Sequence, residues 1–147
     1  MLDLCVKMAT SIVGHDVNKR VSSVLNRDVK QFGKKYMFDG NEETCWNSDQ
    51  GSPQWVVLEF PYKVRIQELQ IQFQGGFVGK ECWIEGCCDS EDFTKIADFY
   101  PEDENSLQSF PVTADGITKM KIIFNNSTDF YGRITIYKLD VIGLQVT

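Results

Sequence analysis

Between Ile66 and Gln74 the chain alternates: Leu69, Ile71 and Phe73 take one parity, and Gln70, Gln72 and Gln74 the other. A period of two is the repeat of an extended strand with one face on a core and the other in water. A helix would scatter the glutamines around its circumference, so this segment predicts a half-buried strand. Trp55 to Phe60 (WVVLEF) is aromatic and β-branched without alternation, and lies between Pro53 and Pro61. It predicts a strand buried on both faces. Pro61, lacking an amide hydrogen, is expected to end it.

Further strands are expected at Arg20 to Leu25, Glu81 to Cys87, Leu107 to Val112, Thr118 to Phe124 and Ile134 to Ile142, separated by turn-rich pieces such as GGFVG and NNSTD. Phe93, Ile96, Ala97 and Tyr100 fall at helical intervals, but the segment is short for a helix and reads as a strand among strands. In the last segment the apolar phase moves from Ile134 and Ile136 to Leu139 and Val141, which a bulge near Tyr137 would produce. Short strands at this spacing predict an all-β antiparallel sandwich. At 147 residues there is room for one such core. No repeat or linker interrupts it, so the expected division is an N-terminal segment, 1–19, partly disordered, and a sandwich domain, 20–147.

Several function classes find no support. A net charge of −6 opposes direct binding of nucleic acid. No run reaches the roughly 18 apolar residues of a membrane span, and Asp3 and Lys7 interrupt what would be a secretory leader. Five cysteines, Cys5, Cys45, Cys82, Cys87 and Cys88, are an odd number, expected to be buried thiols in a reducing compartment. Zinc would need paired ligands, whereas the one histidine is His15. No nucleophile elbow, phosphate-binding loop or HExxH run is present, so no enzymatic role is expected.

Two segments carry candidate chemistry. Phe38 to Trp46 (FDGNEETCW) has two readings. In one, Asp39 and Asn41 bond their own backbone in a tight turn closed by Thr44, while Trp46 plugs the core. In the other, Asp39, Asn41 and Thr44 give oxygens to calcium, which takes roughly six to eight. A short polar turn needs no metal, and no cofactor is required by this reading. Arg27, Lys30, Lys34 and Lys35 surround Phe32 and Tyr36, a mixture suited to a phosphate, an acidic protein surface or a lipid headgroup, with a plain solvated loop as the simpler reading. The acidic PEDEN stretch, Pro101 to Asn105, reads as a turn.

RVSSVL, FDGNEETCWNSDQGSPQW, VVLEF and YGRITIYKLDVIG occur in the order that resembles discoidin-like (coagulation factor 5/8 type C) domains, over Arg20 to Gly143. The stretches QFGKK, LQIQFQGGF, DFYPED and DFYGR are similar to those of a small nuclear-receptor-associated branch of that class. The resemblance implies a jelly-roll sandwich of the galactose-binding-domain type that associates with an orphan nuclear receptor and represses its transcriptional activity. It implies a nuclear address, with the cytoplasm as a second. It also implies a candidate structural calcium on Asp39, Asn41 and Thr44, with Asp140 as a more distant acid. The cysteine pair that brackets extracellular members is missing, and so is the sugar-reading signature of the fucose lectins. A receptor coactivator box would need LxxLL on a helix, and the nearest string, Val21, Val24 and Leu25, falls in an expected strand.

The resulting expectation is a non-catalytic protein-binding module that presents the loops Arg27 to Tyr36, Gly75 to Lys80 and Asp129 to Arg133. Phe32, Lys34, Lys35, Phe77 and Arg133 are the expected contacts, since aromatics and arginine dominate interfaces and lysines steer association. The alternative is a calcium-dependent carbohydrate- or phospholipid-binding domain using the same end.

Overall fold

A computed structural model describes residues 8–146. Its eight strands are β1 (Thr10–Ser11), β2 (Asn18–Val21), β3 (Trp46–Asn47), β4 (Gln54–Phe73), β5 (Cys82–Cys87), β6 (Thr94–Phe99), β7 (Leu107–Phe124) and β8 (Thr135–Gln145). All pairings are antiparallel. Between β2 and β3 lie a 3-10 turn, Leu25–Arg27, the one-turn helix α1, Val29–Phe32, and a second 3-10 turn, Lys34–Met37. The chain is an all-β jelly-roll sandwich.

Two long strands belong to both layers. The first part of β4, from Gln54 to Glu59, pairs with β2 and with the end of β7, which in turn pairs with β5, and β5 with β6. The second part of β4 pairs with β8 and with the start of β7, while β1 and β3 add to β8. Between the two parts the β4–β7 register shifts from Glu59 to Val64. Pro61 falls inside that gap, so it does not end the strand as the sequence suggested. Its missing amide hydrogen costs nothing where the ladder is already interrupted, and the chain bends there from one layer to the other. For the same reason Leu107 to Val112 and Thr118 to Phe124 are one strand, bent near Gly116, whose φ of +72° suits glycine. Of Arg20 to Leu25, only the start is extended: β2 ends at Val21 and Leu25 opens the first 3-10 turn.

The inner faces follow from the patterns. Leu69, Ile71 and Phe73 are fully buried from the second layer, facing Val56, Leu58, Met120 and Ile122 from the first. Ile66 is buried too, out of phase with Leu69, because the register slips between Ile66 and Glu68. The bulge expected near Tyr137 is present: Gln72 pairs with Lys138 and Phe73 with Ile136, leaving Tyr137 as the extra residue. The layers also meet through Phe73 and Phe124, edge to face at 5.8 Å. Within the segment read as N-terminal, 1–19, β1 pairs with β8, and Ile12 and Val17 are buried. Residues 1–7 of it lie outside the described residues. Cys82 and Cys87 are buried thiols whose pKa is pushed up by that burial, and Cys45 is half-buried.

Phe73→Ala is expected to cost about 3–5 kcal/mol in urea unfolding, with the native spectrum retained. A cost below about 1 kcal/mol would show that the layers do not interlock at that point.

Candidate functional site

The bends in β4 and β7 put Gln54, Phe73, Leu107 and Phe124 near one another, at what we term the apical end. The loops that leave these strands are joined there by polar contacts. Gln54 is buried, 4% exposed, yet its amide is fully used. Its Oε1 accepts from the Ser22 and Ser23 hydroxyls, and its Nε2 donates to the carbonyls of Asp49 (3.1 Å) and Gly51 (2.9 Å). Trp46, with no exposed surface, donates its indole Nε1–H to the Ser23 carbonyl at 2.9 Å. This is the core plug anticipated from FDGNEETCW. Ser48 bridges to the start of β8: its amide donates to the Ile134 carbonyl, and the Ile134 amide donates to its hydroxyl, both at 2.8 Å. The Gly51 amide then donates to the Tyr131 carbonyl at 2.8 Å. Gly132 packs against this segment at a φ of +83°, and a Cβ there would meet the Gly51 carbonyl at 2.7 Å. The loop from Asp129 to Arg133 is thereby fastened to the core.

Arg133 and Phe77, both expected as contacts, come together. The Arg133 guanidinium lies 5.2 Å from the Phe77 ring centre and 5.5 Å from that of Tyr131. Asp129 grips it with both oxygens, Nε to Oδ2 at 2.9 Å and Nη2 to Oδ1 at 3.1 Å. Those hydrogen bonds hold the Asp129 carboxyl below its ordinary value against the opposing effect of burial. Arg133 thus serves as a strut between two loops, with one side of its guanidinium filled from within. What it supports is the pair Phe130, 94% exposed, and Tyr131, 56% exposed, their rings edge to face at 5.3 Å. The sequence reading missed both, although FYGR beside a glycine turn was the available signal. It also undervalued PEDEN, since Asp103 and Asn105 accept hydrogen bonds from the amides of Gly76 (2.8 Å) and Gly75 (2.6 Å), holding the Phe77 loop from its other side.

The other expected residues lie elsewhere. Lys34 and Lys35 are exposed beside α1 and line a separate groove, while Phe32, the last residue of α1, is half-buried. Asp39, Asn41 and Thr44 form a closed turn. Asp39 accepts from the Asn41 amide (2.9 Å) and the Thr44 hydroxyl (2.6 Å), and Asn41 accepts from the Glu43 amide (2.9 Å). Asp140 accepts from the Ser11 hydroxyl (2.6 Å) and the Val141 amide (2.9 Å). Asn41 and Asp140 line a common cleft of about 430 Å³ with Tyr137, but the donor oxygens in both places are already engaged by hydrogen bonds. Among the described residues no group of three or more His, Cys, Asp or Glu side chains is placed to hold a metal. His15 is exposed, and no described helix is long and apolar enough to cross a membrane.

The Arg133 strut has a pH signature. Because the Asp129 pKa is lowered on folding, its contribution is fully present above the unfolded carboxylate value of about 3.9 and is lost as pH falls through the lower folded value. The stability gap between the native chain and Asp129→Asn, measured by urea unfolding across pH, is expected to hold from neutrality down to the ordinary carboxylate range and to close below it. A gap that is already absent at neutral pH would show that the grip adds nothing.

Comparison with known proteins places this architecture. No family model matches the chain. Solved structures with the same fold include an F5/8 type C domain from Bacteroides fragilis (TM-score 0.81, 11% identity, covering 94% of this chain and 98% of that one). They also include a family 32 carbohydrate-binding module from Clostridium perfringens in complex with galactose (TM-score 0.75, 18% identity, covering 92% and 99%). At such identities the likeness is one of fold. Sequence relatives are far nearer. A nuclear receptor 2C2-associated protein of Danio rerio is 61% identical over 137 residues, covering 92% of this chain and 97% of the relative. Its Homo sapiens counterpart is 54% identical over 139 residues, covering 95% and 100%. With more than half of its residues shared along nearly the full length of both, this discoidin-like chain belongs to the nuclear receptor 2C2-associated protein family.

Proposed function

We propose that the chain is a non-catalytic adaptor that binds an orphan nuclear receptor through its apical end and lowers the receptor's transcriptional output. The observation that carries the site is the exposed pair Phe130 and Tyr131 on a loop fixed by Asp129, Arg133 and Gly51. Large aromatics held rigid in water bind with little loss of side-chain freedom, which is why such residues dominate interface energies. The family name supports association with a receptor. Action in the nucleus, with a cytoplasmic pool, agrees with that partner, and at 16.8 kDa the chain is small enough to enter by diffusion. A cofactor has no part in this reading, because the Asp39 turn is completed by its own hydrogen bonds. The carbohydrate alternative is less favoured because the Arg133 guanidinium at the apical end is already held by Asp129.

Calorimetry of the chain with the purified ligand-binding region of an orphan nuclear receptor tests the proposal, first with calcium and then with a chelator. We expect a Kd of about micromolar or tighter, unchanged by chelation, and weakened about tenfold or more by Phe130→Ala with Tyr131→Ala at unchanged melting temperature. Absence of binding in both buffers would remove the receptor reading, and binding that disappears with the chelator would return calcium to the site.

A further inference from the structure

The corner between β2 and β3 offers a second surface of different chemistry. A groove of about 440 Å³ lies between β2 and α1, floored by Val21, Val24 and Val29. Val29, on the first turn of α1, is 60% exposed. Around this floor stand Arg20, Lys30, Lys34 and Lys35. Arg20 reaches Glu59 at 3.2 Å, but among the described residues none of the three lysines has a carboxylate within ion-pair distance. Positive charge is dense enough here that Lys19, pushed down chiefly by burial and raised by Asp16, is lowered further by Lys34. In a chain of net charge −6 this corner reverses the sign of the whole.

The groove has a fixed shape. A Cβ on Gly33 would lie 2.5 Å from the Val29 carbonyl, so the turn closes this tightly over α1 because residue 33 is glycine. The Tyr36 hydroxyl donates to the Lys30 carbonyl and ties the end of the corner to α1. Apolar floor, cationic rim and fixed walls together select the ligand. A membrane or a nucleic acid is an extended polyanion that would also face the acidic remainder of the molecule. A short segment meets only the local field, and a pocket of this size accommodates a few side chains.

We propose that this groove docks an acidic segment of a partner protein, with leucine-sized side chains on Val21, Val24 and Val29 and carboxylates on Lys30, Lys34 and Lys35. The inference rests on reading the chain as a binding module, and it concerns a surface separate from the apical one. The acidic segment gains from burial on the valines, while the lysines set its direction and speed its approach.

The test is fluorescence anisotropy with a labelled synthetic peptide of alternating leucine and glutamate pairs, added to the full chain. We expect binding that weakens as salt is raised and falls about tenfold or more in Lys34→Glu with Lys35→Glu, whose exposed side chains leave the melting temperature unchanged. The glutamine counterpart of the peptide should bind about tenfold less well. Phe130→Ala with Tyr131→Ala should leave peptide affinity intact, which separates failure of this proposal from failure of the apical one. The proposal is overturned if the native chain does not hold the peptide, or if the double charge reversal leaves affinity unchanged. It is equally overturned if phosphatidylserine vesicles, duplex DNA or a second copy of the chain bind at these lysines while the peptide does not.

Discussion

The buried amide of Gln54 is the point on which the apical end depends. An unpaired polar group of this kind in an apolar interior would cost about 1–3 kcal/mol, so it persists because every hydrogen-bonding position finds a partner. Those partners come from two separate stretches of chain, namely the residues that follow β2, Ser22 and Ser23, and the loop before β4 through Asp49 and Gly51. Trp46 adds its indole to the same knot through Ser23. Among the described residues no buried side-chain nitrogen or oxygen lacks a hydrogen-bond partner, so this polar centre is compatible with a well-packed core.

From that knot, order spreads outward by short steps. Gln54 fixes Gly51, Gly51 bonds Tyr131, and the Asp129 to Arg133 ion pair closes the loop that lifts Phe130 into solvent. Phe77 is supported by the guanidinium from one side, and its loop by Asp103 and Asn105 from the other. Rigid presentation of exposed aromatics is thus a consequence of a buried amide and of two bent strands that bring their ends together. The basic corner is built differently, by a close backbone approach at Gly33, and its charge opposes that of the rest of the surface. One small domain therefore carries an aromatic surface and a cationic one.

Much of the fold was legible because alternation is a local signal. Leu69, Ile71 and Phe73 announced an inner face, and the phase change around Tyr137 announced its bulge. Pro61 misled for a physical reason: proline breaks a ladder, but here the ladder was already broken at the bend, and only the pairing of distant segments reveals that. The site was legible in part. Phe77 and Arg133 were recognisable as interface-type residues, but their mutual contact joins segments more than fifty positions apart, and only the grip of Asp129 on Arg133, four positions away, is local. The exposure of Phe130 and Tyr131 could not be read from composition, because the same residues would usually sit in a core. Of the two readings given to Asp39, Asn41 and Thr44, the self-bonded turn was legible, since Asx turns are made by neighbours in sequence.

The measurement that bears most directly on this account is amide hydrogen exchange of Gln54→Leu against the native chain. A leucine of similar size keeps the apolar volume but removes the partners of Ser22, Ser23, Asp49 and Gly51. The account predicts faster exchange at Gly51 and Gly132, propagating to the Phe130 loop, with the central strands β4 and β7 still protected. Unchanged protection at Gly51 and Gly132 would contradict it, because the apical loops would then be held by something other than the buried amide.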